Sequence, residues 1–178
     1  NVNLYDIKPK KFTPAHTNAD FCELVCSNSL KSNELTNACG LLKQEMRELN
    51  SIIIQCADNN AVPAGNALAV DRNRFAEDVT RKIKSRPNIN VICEEVTRIL
   101  KGVTIIATGP LTSPSLLCEL EKMCKGSLYF FDAAAPIIDG ATIDYSCAFT
   151  GNRYSKGISE TEDYINCPLN REEYYHFA

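Results

Sequence analysis

Apolar and polar positions alternate at the start of the chain. Val2 and Leu4 in NVNLYD predict a short strand over 1–6 that ends on the carboxylate of Asp6 and is closed by the breaker Pro9. The period then changes. Leu42, Met46, Leu49, Ile53 and Cys56 recur at alternating spacings of four and three, which predicts one long amphipathic helix, capped by Ser32 or Asn33, with its apolar stripe against a core. Pro63 and Gly65 break the chain, and Asp71 caps a second helix expected to run to about Ser85 with Phe75, Val79 and Ile83 on one face. The opposite face carries Arg72, Arg74, Arg81, Lys82 and Lys84, read as a solvated basic side with phosphate contact as the less favoured alternative. Asn90 to Cys93 and Val103 to Ala107 read as short buried strands, and Leu116 to Lys122 as a third helix. The pattern shifts after that. LYFFDAAAPIID joins an aromatic strand to a small-residue turn, and tyrosines become frequent from Tyr145 onward, which places a domain boundary near residue 111. Helices alternating with short apolar strands indicate an α/β chain.

Composition narrows this picture. A chain of 178 residues with 44% hydrophobic content has enough apolar surface for a real core. A net charge of −3 gives no global basic field, so any contact with RNA falls to local patches and none with DNA is expected. The nine cysteines are scattered, with no C-x-x-C pair, which reads as a reducing cytoplasm; with only two histidines, His16 and His176, no metal site is expected. No apolar run reaches the roughly 18 residues of a membrane helix. The first residue is Asn1 rather than methionine, which leaves room for a preceding segment.

The segment Glu23 to Ser32, ELVCSNSLKS, carries the candidate chemistry. Leu24 and Val25 are fit for a core, whereas Ser27, Asn28 and Ser29 favour turns and caps, so Cys26 falls at an edge. A following helix start would lower the thiol pKa and expose the reactive thiolate; the alternative is a buried, inert cysteine. Asp6 has a similar choice between a turn-forming role and a ribose contact at a strand end. Lys8, Lys10 and Lys11 read as a small solvated basic run. Thr108 and Gly109 follow an expected strand, where an α/β sheet presents backbone to a ligand.

VNLYD-x-KP, TPAH, FCELVCSNSLKS, LTNACGLLKQEM, VPAGNALAVDR, IIATGPLT, LYFFDAAAPI and YINCP occur in this order. The chain thereby resembles, along essentially its whole length, the bacterial folate- and flavin-dependent tRNA (uracil-5-)-methyltransferases. That resemblance implies FAD as cofactor, 5,10-methylenetetrahydrofolate as carbon donor and NADPH or NADH as electron source, with a methyl group delivered to C5 of the T-loop uridine of tRNA to give ribothymidine. It places Asp6 on the ribose of the FAD adenosine, Ser27, Asn28, Thr108 and Gly109 at the cofactor, and Cys26 beside the flavin as a thiol that forms or relays a covalent adduct. The chemistry needs such a group, because C5 of uracil is a poor nucleophile until a thiolate adds at C6. Arg153 and Lys156, in NRYSKG, are the candidates for RNA phosphate. The implied architecture is an incomplete Rossmann-like FAD-binding domain over 1–110, lacking its first strand and glycine-rich turn, and the beginning of an inserted α+β substrate domain over 111–178.

The chain departs from the family pattern in several places. It contains no G-x-G-x-x-G, ends before the second family cysteine, has His16 where two adjacent histidines are usual, and has Asn66 in place of a usual glycine. Asparagine tolerates left-handed geometry, so that turn is expected to survive. The resemblance therefore implies an internal fragment, inactive alone, of a cytoplasmic enzyme. Two rivals are a related FAD-dependent protein that modifies the tRNA wobble uridine, whose cysteine precedes a glycine-containing loop unlike CSNSLKS, and a non-catalytic remnant that binds FAD or RNA.

Overall fold

The computed structural model describes residues 1–124, 138–152 and 162–177. The chain forms two compact units, Asn1–Cys26 with Arg72–Ala135 and Ser27–Asp71 with Pro136–Ala178.

In the first unit, β1 (Val2–Asp6) pairs in parallel with β5 (Ile89–Cys93), in a register that sets Val2 opposite Ile89 and Asp6 opposite Cys93. Parallel strands need a crossover, and α3 (Arg72–Lys84) supplies it. Its apolar face is the one the spacing predicts: Phe75, Ala76 and Val79 are buried, joined in the unit's core by Phe21 and Leu116. The 3-10 turn Gly109–Leu111 and α4 (Pro114–Cys124) are the last elements of the unit among the described residues, and α4 covers the expected third helix. A parallel strand pair bridged by a helix is what a partial α/β, Rossmann-like domain contains.

The expected strand Val103 to Ala107 does not form. The segment is irregular, with Val103 and Ile105 almost fully exposed. An apolar run becomes a buried strand only beside a strand edge, and among the described residues the parallel sheet has two strands, β1 and β5.

In the second unit, β2 (Ser29–Ser32), β4 (Ala67–Val70) and β3 (Ala61–Val62) make an antiparallel sheet in the order β2-β4-β3. The single long helix expected around residues 42–56 is two helices, α1 (Ala38–Glu48) and α2 (Ile52–Asn59). The break has a local cause. Asn50 takes φ 55°, and the Ser51 amide bonds Met46 O at 2.9 Å, the left-handed closure that ends a helix. Ser51 then caps α2, its hydroxyl accepting from Ile54 N. The cap of α1 is Asn37, whose side chain accepts from Cys39 N, and not Ser32 or Asn33.

The stripe also differs from expectation. Leu42 and Leu49 are exposed, while Gly40 and Lys43 are the buried residues of α1, and Ile54, Cys56 and Ala57 those of α2. Arg47 braces the two helices, donating from Nε and Nη2 to the two carboxylate oxygens of Asp58 at 2.7 Å each. A hairpin of β6 (Phe149–Gly151) and β7 (Tyr164–Asn166) follows, and α5 (Arg171–Phe177) lies at the end of the described chain. The Tyr164 hydroxyl donates to Ala64 O, and Gly65 N to the Asp163 carboxylate, so the hairpin holds the 63–66 turn. The left-handed residue of that turn is Gly65, at φ 55°, and not Asn66.

Candidate functional site

Asp6 closes β1 at the carboxyl edge of the parallel pair. Its Oδ1 accepts the Lys8 amide at 2.8 Å, and its carbonyl accepts Glu94 N at 2.9 Å. The turn-forming role considered for Asp6 is therefore real for one carboxylate oxygen.

Lys8 is not part of a solvated run. It is buried, with its side chain 6% exposed, because its ammonium donates to Asp20 O and lies 3.8 Å from Glu23 Oε2. Lys11, by contrast, is exposed and forms a 2.9 Å ion pair with Glu95. The Lys11 and Ser113 hydrogen bonds hold the Glu95 carboxyl below its usual range.

Residues 7–28 contain no helix or strand, and polar contacts shape them. Glu23 accepts from Thr17 N at 2.8 Å, Thr17 Oγ1 at 2.7 Å and Asn18 N at 3.3 Å. Burial opposes ionisation of this carboxyl, yet the Thr17 and Asn18 donors and the Lys8 ammonium outweigh it and keep the group below its usual pKa. Phe21 is buried, and its amide donates to Thr80 Oγ1 of α3 at 2.8 Å. His16 Nδ1 bonds the Thr13 hydroxyl at 2.6 Å.

Cys22 lies between the Phe21 anchor and the Glu23 clamp. It takes φ 56° and is exposed. Desolvation pushes its thiol up, with the Lys8 ammonium opposing and the Asp6 carboxylate adding to the rise.

Cys26 is half-buried. No helix start follows it; the next regular element is β2, so the expected helix N-terminus is absent from the chain just after it. Its carbonyl instead accepts Arg72 Nη2 at 3.1 Å, which removes Arg72 from the solvated basic face. In the second unit, Ser27 Oγ accepts Ser29 N at 3.1 Å, and Asn28 exchanges two bonds with Val70 at 3.0 Å each, one from each residue's donor.

Thr108 and Gly109 bond within their own turn. The Thr108 and Thr112 hydroxyls lie 2.6 Å apart, and Thr112 Oγ1 donates to Gly109 O at 2.7 Å. Gly109, at φ 61°, has no atom within 4 Å of where a Cβ would sit, so its backbone is bare on that side. Arg153 and Lys156 lie outside the described residues, as does most of LYFFDAAAPIID. No disulfide joins any two of the nine cysteines. Among the described residues no group of three or more His, Cys, Asp or Glu side chains is placed to hold a metal, and no helix is long and apolar enough to cross a membrane.

The contacts thus draw Asp6, Lys8, Cys22 and Glu23 together and tie Cys26 to the start of α3. Lys8, Glu23 and Arg72 escape a sequence reading because charged residues default to solvent; the buried pairing reveals the first two, and the bond to Cys26 O reveals Arg72.

A strand-end carboxylate on a parallel pair bridged by a helix belongs to the α/β, Rossmann-like class. Within that class the chain matches the family described as glucose inhibited division protein A over residues 1–178, and it belongs to that family. It is also similar to proteins named methylenetetrahydrofolate--tRNA-(uracil-5-)-methyltransferase TrmFO. Identity is 53% over 178 residues with that of Lactobacillus gasseri, covering 99% of this chain and 40% of the relative. It is 58% over 175 residues with that of Acetivibrio thermocellus, covering 97% of this chain and 39% of the relative. With that of Enterococcus faecalis it is 56% over 178 residues, covering 99% and 40%. The chain therefore spans about 40% of the length of the relatives it matches.

Proposed function

We propose that the chain is the flavin-side part of an RNA-modifying enzyme that methylates C5 of a tRNA uridine, the T-loop position that yields ribothymidine. The carbon donor in this reading is 5,10-methylenetetrahydrofolate. The observation that carries it is the match, above half identity along nearly the whole chain, to proteins whose name states that carbon donor and that reaction. We assign 1–110 to the FAD-binding part and 111–178 to the beginning of the substrate part, place the enzyme in the cytoplasm, and take NADPH or NADH as the source of electrons.

FAD, when bound, supplies the electrons that reduce the transferred carbon. The chain's own residues fit part of such a cofactor. One carboxylate oxygen of Asp6 is taken by Lys8 N, and the other suits a ribose hydroxyl at the strand edge. The bare backbone at Gly109 suits close approach of a flat group. No G-x-G pair occurs in the sequence, so a glycine-rich cradle for the pyrophosphate is not among these residues. Cys26 is assigned as the thiol that adds to C6 of the uracil or relays the adduct, with its backbone held by Arg72.

The test uses the protein expressed from its complete reading frame. Purified protein should be yellow and, given 5,10-methylenetetrahydrofolate and a nicotinamide reductant, should form ribothymidine in tRNA lacking it. Bound flavin without any new ribothymidine overturns the reading. Asp6→Ala in that protein should weaken FAD retention by about 1.5–3 kcal/mol, the usual loss for a charge-assisted hydrogen bond. Unchanged flavin content after gel filtration would remove Asp6 from the cofactor site.

A further inference from the structure

The segment that delivers Cys26 is irregular from residue 7 to residue 28, so its shape depends on a few polar contacts rather than on a helix or sheet ladder. Those contacts converge. Lys8, two residues beyond the strand-end Asp6, points its ammonium at Asp20 O and Glu23. Glu23 reaches back to the amides of Thr17 and Asn18 and to the Thr17 hydroxyl, closing residues 17–23 into a loop. Three residues later Arg72 takes the Cys26 carbonyl.

We infer that Lys8 and Glu23 are positioning residues, a buried ion pair that, with Arg72, holds the Cys26 segment in the one conformation its thiol needs. The inference rests on the assignment of Cys26 as the reacting thiol. Both partners are nearly excluded from water, with side chains 6% and 10% exposed. Burying two charges is unfavourable compared with packing two apolar side chains, so the pair is a poor way to gain stability and a good way to fix geometry. The left-handed Cys22 points the same way, since a non-glycine residue keeps that backbone only where its neighbours over-determine it. Here the neighbours are Phe21, anchored on Thr80, and Glu23, anchored on Thr17. A misplaced nucleophile loses rate without losing substrate affinity.

The experiment compares Lys8→Met, Glu23→Gln and Lys8→Arg in the flavin-loaded protein from the complete reading frame. Two readouts are taken: kcat and KM for ribothymidine formation at equal flavin occupancy, and the rate of Cys26 alkylation by iodoacetamide, followed by peptide mass spectrometry. Lys8→Met and Glu23→Gln should lower kcat at least about tenfold with KM for tRNA within about twofold. They should shift Cys26 alkylation about fivefold or more while the exposed Cys118 of α4 reacts as before, and Lys8→Arg should retain most of the rate. In a Cys26→Ala background neither variant should lower the residual rate further, because each acts through that thiol. Thr17→Val, which deletes one hydroxyl donor to Glu23, gives a milder variant should the charge changes unfold the protein; a shift of about twofold in Cys26 alkylation is expected.

Unchanged kcat and alkylation in these variants, or equal shifts at Cys26 and Cys118, overturns the inference while leaving Cys26 as the thiol. A near-native rate for Cys26→Ala alone overturns the assignment on which the inference rests.

Discussion

Cys26→Ala, in the protein expressed from its complete reading frame, will keep its fold and its flavin and lose ribothymidine formation by at least about a hundredfold, the scale on which a missing nucleophile shows. The reason for retained structure is local. Cys26 is half-buried, so removing one sulfur opens little cavity, and its tie to α3 runs through its carbonyl, which alanine keeps. Cys22→Ala is the internal control, four residues earlier and removing the same atom. Cys22 is exposed and left-handed, a backbone that alanine adopts at much the same strain, so both stability and rate should stay within about 0.5 kcal/mol of the parent, as for other surface changes. Initial rates at equal flavin occupancy decide the matter. A near-native Cys26→Ala beside an inactive Cys22→Ala would reverse the roles of the two cysteines, and the resemblance that points to Cys26 would have misled.

How much of this is legible in the sequence depends on which force shapes each element. β1, β5, α3 and α4 are legible because their apolar positions repeat with the period of the element and face a core: Phe75 and Val79 are buried four residues apart, as their spacing implies. The region around α1 and α2 is not, because its apolar residues keep a helical period across the break, and that period masks the stop and cap signals of Asn50 and Ser51. Val103 to Ala107 misleads for the opposite reason: its pattern is that of a buried strand, but a strand is defined by its partner as much as by its own residues.

The candidate site follows the same rule. Cys26 and Asp6 stand out through motif and position. Lys8, Glu23 and Arg72 act through specific geometry, in which a loop carbonyl or a carboxylate meets a charge and draws it out of full solvent exposure, and sequence spacing carries no sign of that.

Gly40 shows the same limit from the side of stability. It reads as an ordinary residue of ACGLLKQEM, where alanine would be expected to strengthen a helix by up to about 1 kcal/mol. The structure reverses that sign. Asn37 caps α1, and the 34–37 turn folds over the first turn of the helix, with Asn37 N donating to Glu34 O at 3.0 Å. A Cβ on residue 40 would fall on the Glu34 carbonyl oxygen and within 2.7 Å of the Glu34 nitrogen, both backbone atoms that cannot swing aside. Relief requires moving the turn or the helix start, which disturbs the Asn37 cap and the Lys43 ammonium, whose acceptors are Ser32 O at 2.8 Å and Cys39 O at 3.0 Å. Overpacking of this kind costs about 1–3 kcal/mol and a lost cap about 1 kcal/mol more, so the clash outweighs helix propensity. Gly40→Ala should therefore destabilise the second unit by about 1–3 kcal/mol net, read as a lower urea midpoint with an unchanged slope. Gly140→Ala is the matched control, since nothing lies within 4 Å of its Cβ position, and it should leave the midpoint where it is. If Gly40→Ala unfolds at the same urea concentration as the parent, the close approach of the 34–37 turn to α1 is wrong, and with it the placement of Lys43 beneath that turn.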